Sequence, residues 1–140
     1  PLARTMLPRF LPVAKKALLL GNTDYGGDAQ LKWVVNDVTA VAARLKELGF
    51  ATKVHQNLDE GRMRLTMMRW VDNEVNAGDL VFVYYSGHGY EEEGANYLMP
   101  IDATDTHGAV KLDHFLLHLN QKSELSTSSV SAAVARTTPT

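Results

Sequence analysis

The sequence predicts an α/β protein, a three-layer α/β/α sandwich built on a mainly parallel sheet. Three observations carry that expectation. Short apolar or alternating runs at "KKALLLGN", "ATKVHQ" and "LVFVYY" read as strands. Two longer segments between them hold apolar residues at helical spacing, so the order is strand, helix, strand, helix, strand. The run "LVFVYY" is apolar throughout, as a strand buried on both faces must be. Each helix is long enough to form a right-handed crossover between parallel strands.

Taken in order, residues 1–15 are an irregular lead-in with three prolines. The first strand ends at a Gly21-Asn22 turn signal, and "TDYGGDAQ" is a loop. The first helix carries apolar residues at 34, 35, 38, 41, 42, 45 and 48, with Gly49 as its stop. The second places Met63, Met67, Trp70, Val71 and Val75 on one stripe. "YEEEGANYLM" reads as a hairpin turning at Gly94-Ala95. "LDHFLLHLNQK" reads as a third helix with Leu112, Phe115, Leu116 and Leu119 on one side. Residues 16–122 form the expected domain. Residues 123–140, rich in Ser, Thr and Ala, are expected to be a disordered tail.

Composition narrows the function. The chain has 140 residues, a net charge of −2 and no cysteine. Acids and bases are interspersed, which argues against nucleic-acid binding. No apolar run approaches the roughly 18 residues of a membrane span. The N-terminus is a poor signal peptide, so the cytosol is the default compartment. Disulfides and thiolate metal sites are excluded. His114 and His118, four apart on a helix, lack the adjacent Glu of a zinc motif and read as surface residues; no metal or cofactor is expected.

Open parallel sheets bind ligands at the carboxyl ends of their strands. Two glycine-containing turns fall there, "GN" after the first strand and "SGHG" after the third. His88 suits an acid or base role, because imidazole changes charge near neutral pH. Its flanking glycines allow close backbone approach, and the Gly89 amide could face a developing oxyanion. Ser86 lacks the surroundings of a nucleophile elbow. "GNTDYGG" matches neither a dinucleotide fingerprint nor a P-loop.

The segments "KKALLLGNTDY", "LKWVVNDVTAVAARLKELGF" and "DLVFVYYSGHGYEEEGANYLMPIDA" together resemble the caspase-like cysteine peptidase domain, most of all its paracaspase branch and bacterial relatives. The resemblance covers about residues 15–103 and corresponds to the large-subunit part. It implies that His88 is the histidine of a Cys/His dyad and that Gly89 contributes to the oxyanion hole. It implies that Asp37 lines a pocket for a basic P1 side chain, although an acidic residue there also suits the helix dipole. Peptide or protein substrates follow from the same resemblance, as does possible homo- or hetero-dimerisation with caspase-like chains. The family's nucleophile is a cysteine after the next strand, in an Asp-x-Cys-like motif. This sequence shows neither that strand nor any cysteine. The expectation is a fragment of a cysteine endopeptidase, inactive alone. The alternative is a short form that binds a full-length relative through an exposed edge of the third strand.

Overall fold

A computed structural model describes residues 13–104, 108–123 and 130–135. Four parallel strands form the main sheet: β1 (Lys15–Gly21), β2 (Ala51–Gln56), β3 (Leu80–Ser86) and β7 (Val130–Ala135), in the order β2-β1-β3-β7. The chain steps from β1 outward to β2, then back across β1 to β3. Right-handed crossovers in opposite directions must put their helices on opposite faces. They do so here. On one face α1 (Val34–Glu47) packs Val34, Val38, Ala42 and Leu45 against Ala17, Leu19 and Tyr84. On the other, α2 (Glu60–Glu74) and α3 (Leu112–Ser123) pack Met63, Met67, Trp70, Val71, Phe115 and Leu119 against Leu18, Leu20, Val81, Val83 and Tyr85. The three-layer sandwich is therefore as expected.

The helix ends follow local chemistry. At the end of α1, Gly49 has φ 87°, its N–H donates to the Lys46 carbonyl, and Phe50 N–H donates to Leu45 O. This paired closure satisfies carbonyls that the helix leaves open. Asp59 caps α2, its Oδ1 accepting from Arg62 N–H at 2.8 Å. Asp102 accepts from Glu60 N–H at 2.9 Å, so the segment that follows Pro100 is tied to the same helix start.

A second, antiparallel sheet has the order β4-β5-β6. Its strands are β4 (Gly89–Glu92), β5 (Ala95–Leu98) and β6 (Val110–Lys111). The hairpin turns at Glu93-Gly94, one residue earlier than expected. Both residues have positive φ, 51° and 78°, as a tight two-residue loop between twisted strands requires.

The expected tail requires correction. Val130–Ala135 is a strand, in parallel register with β3 from Val81↔Val130 to Ser86↔Ala135. The fourth strand taken to be missing is thus present. A Ser/Ala-rich segment carries little hydrophobic signal of its own, but the edge of β3 offers a row of backbone partners. The same pairing covers β3, so the outer strands of this sheet are β2 and β7. The remaining parts of the lead-in and tail, 1–12, 124–129 and 136–140, lie outside the described residues.

Candidate functional site

The strand order reverses at β1, because the chain leaves β1 toward β2 but continues from β3 toward β7. The crevice at the carboxyl ends of β1 and β3 is therefore the topological switch point, the usual ligand site of such sheets. His88 stands there, between the end of β3 and the start of β4.

Several long-range bonds draw this end of the sheet together. Asn22, wholly buried, donates its backbone N–H to Ser86 O at 2.9 Å and so joins β1 to β3. Its side chain accepts from Leu58 N–H at 3.0 Å and donates to Met99 O at 3.1 Å. Asn57 Oδ1 accepts from the amides of Thr23 and Asp24, which shapes the start of the 22–33 loop.

That loop holds His88 in place. Tyr25 Oη accepts from His88 N–H at 2.9 Å and donates to Met99 O at 2.9 Å. Tyr85 Oη, 3.1 Å from Tyr25 Oη, donates to His88 O at 2.6 Å. The Tyr25 and His88 rings meet edge to face, 4.4 Å between centroids. Burial pushes both phenols above their ordinary pKa, Tyr85 well above it. They stay protonated and able to donate at neutral pH.

The imidazole Nε2 lies 2.7 Å from the carbonyl oxygen of Ala29, in the short 3-10 turn Gly27–Ala29. A carbonyl can only accept, so Nε2 carries the proton and the basic lone pair of the neutral ring is on Nδ1. This backbone contact fixes the tautomer, and the edge-to-face contact with Tyr25 helps to orient the ring.

Gly87 is enclosed. A Cβ there would lie 2.4 Å from Tyr85 Oη and 2.7 Å from Tyr25 Oη, so this glycine makes room for the two hydroxyls. Gly89 has a different role in the backbone. Met99 N–H donates to His88 O, which marks 88 and 99 as a hydrogen-bonded pair. Bonded and non-bonded pairs alternate in an antiparallel ladder, so Gly89 and Leu98 are a non-bonded pair. The Gly89 N–H therefore points away from β5, and β4 is the outer strand of its sheet.

Asp37 is in the first turns of α1, the helix that starts at this same end of the sheet, and is half-buried. Among the described residues its carboxylate has no ion-pair partner. Trp33, 61 % exposed, precedes it by one turn and accepts the Asp37 N–H on its carbonyl. His88, Gly89 and Asp37 thus all belong to the carboxyl end of the sheet. Ser86 is 1 % exposed within β3, so its hydroxyl is not presented to a ligand. His118 bonds Asp72 Oδ1 at 2.8 Å and ties α3 to α2. No cluster of metal-ligating side chains occurs among the described residues. No helix among them is long and apolar enough to cross a membrane.

Sequence reasoning missed Tyr25, Tyr85 and the carbonyls of Ala29 and Met99. The "YY" preceding "SGHG" is the one local signal that pointed toward them.

A four-stranded parallel sheet with helices on both faces and a clamped histidine after its third strand defines a caspase-like α/β domain. Comparison with known families agrees, since the model described as Caspase domain matches residues 14–130. The chain belongs to that family. It is 34 % identical over 94 residues to human mucosa-associated lymphoid tissue lymphoma translocation protein 1, a match covering 66 % of this chain and 11 % of that protein. It is 31 % identical over 124 residues to metacaspase-5 of Trypanosoma brucei brucei, covering 74 % of this chain and 24 % of the relative. Metacaspase-1 of Mycosarcoma maydis is 31 % identical over 85 residues, 54 % of this chain and 21 % of its own. The chain thus spans a quarter or less of the length of each of these relatives. The resemblance to the caspase-like group, with its paracaspase and metacaspase members, is borne out.

Proposed function

We propose that this chain is the histidine-bearing part of a caspase-type cysteine endopeptidase domain selective for a basic P1 residue. The observation that supports it most is the clamp on His88. An Nε2–H held on the Ala29 carbonyl leaves Nδ1 as the basic nitrogen, as a general base beside a thiol requires. The thiol gives its proton to His88, the thiolate attacks the scissile carbonyl, and the imidazolium returns the proton to the leaving amine. The Gly89 N–H donates to the tetrahedral oxyanion. Asp37 holds an arginine or lysine side chain through charge-assisted hydrogen bonds.

The 140 residues contain no cysteine, so the thiol must come from outside them, and the chain alone turns over no peptide. A caspase-like partner chain would pair along β7, the outer strand of the sheet.

Binding separates the specificity claim from the missing chemistry. A short peptide ending in arginine binds the 140-residue chain and shifts the NMR signals of His88 and Gly89. Asp37→Asn weakens that binding by about tenfold or more. Equal affinity for the same peptide ending in aspartate, or full affinity in the Asp37→Asn variant, would sink the reading.

A further inference from the structure

On the α2 face of the sheet, β2 sets Lys53 and His55 in register beside Leu18 and Leu20 of β1. A strand face covered by a helix is ordinarily apolar, as it is on β1. Here the space between β2 and α2 is instead an open groove of about 310 Å³. Lys53 and His55 line it from β2, and Arg69, Trp70, Asn73 and Glu74 from α2. Trp70, 5 % exposed, gives it an apolar floor.

The charge in this groove is not balanced. Several other surface cations have a carboxylate partner: Lys16 with Asp79, Arg44 with Glu47, Arg62 with Asp59 and Arg64 with Glu60. Lys53 and Arg69 have no ion-pair partner among the described residues. Among the described residues, Glu74 is the one carboxylate in the lining. Burial, and secondarily the charge of Lys53, hold the His55 imidazole below its ordinary range. An anion in the groove would relieve both Lys53 and Arg69, and would favour protonated His55.

We infer that this groove binds a small organic phosphate monoester, its phosphate between Lys53, His55 and Arg69 and its apolar part on Trp70. Two permanent cations with an imidazole match a dianion better than a single carboxylate, and a guanidinium fits phosphate oxygens in a fork. The volume lies at the lower end of small-molecule sites, about 300 Å³, and exceeds what a bare ion needs. The site involves neither His88 nor Asp37, so its test is independent of the peptidase reading.

The test is NMR titration of the 140-residue chain with phenyl phosphate, with benzoate and inorganic phosphate as controls. Phenyl phosphate produces saturable shifts of the His55 imidazole and Trp70 indole and raises the His55 titration midpoint. Lys53→Ala and Arg69→Ala each weaken binding about tenfold, and Glu74→Gln tightens it. Amide spectra remote from the groove verify that each variant is folded. Absence of saturation, equal binding of benzoate, or unchanged affinity in both Lys53→Ala and Arg69→Ala would overturn the inference. Inorganic phosphate binding as tightly as phenyl phosphate would overturn the role given to Trp70.

Discussion

Gly87→Ala tests the geometry that fixes His88. The new Cβ would stand 2.4 Å from Tyr85 Oη and 2.7 Å from both Tyr85 Cζ and Tyr25 Oη, where real contacts are essentially never under 3.0 Å. Neither ring can yield without cost. Tyr85 is 2 % exposed, and its hydroxyl bonds His88 O. Tyr25 accepts from His88 N–H and donates to Met99 O. Overpacking of this kind costs about 1–3 kcal/mol. A buried donor or acceptor left unpaired as the rings move adds about 1–3 kcal/mol. The expected destabilisation is about 2–6 kcal/mol, which for a domain of this size lowers Tm by about 6–20 °C. Thermal unfolding followed by circular dichroism measures it. Tyr85→Phe, costly in the natural chain, should cost less in the Gly87→Ala background, because the hydroxyl it removes is the atom in closest conflict. A Tm within about 2 °C of the natural protein, with full additivity of the two substitutions, would refute this account of the clamp.

Other consequences are local. Asp59→Ala removes the cap on Arg62 N–H and should cost about 1 kcal/mol, read as a shift in the urea midpoint at unchanged slope. Gly49→Ala forces a side chain into φ 87° at the closure of α1 and should cost about 1–2 kcal/mol in the same assay. Tyr25 and Tyr85 have folded pKa values raised by burial above the unfolded value of about 10. The stability they contribute is complete below about pH 10 and is lost as pH rises through the folded values. Ultraviolet titration should therefore show two phenols that ionise late, together with unfolding. If all five tyrosines ionise in one step while the fold persists, the buried placement of these two is wrong.

The candidate site was legible where its chemistry sits on one short stretch. "SGHG" announced a histidine in a glycine turn after a buried strand, and "VVND" placed an acid at a helix start. The partners of His88 were not legible, because two of them, the Ala29 carbonyl and the Met99 N–H, are backbone groups that nearly every residue carries. Tyr25 and Tyr85 are 60 positions apart and meet only when the 22–33 loop folds over the end of β3. The strand Val130–Ala135 was hidden for a related reason. Its pairing is determined by the open edge of β3, and Ser and Ala reveal little of that in their own pattern.

By itself, the sequence determined the layered α/β architecture, the two helix faces and the place of His88, because periodicity, glycine stops and handed crossovers are local or generic constraints. The tertiary structure alone decided which nitrogen of His88 carries the proton, which way the Gly89 amide points and what lies beside β3. Each of these is a hydrogen-bonding choice made across long sequence separation, and such choices depend on which backbone groups the fold brings together.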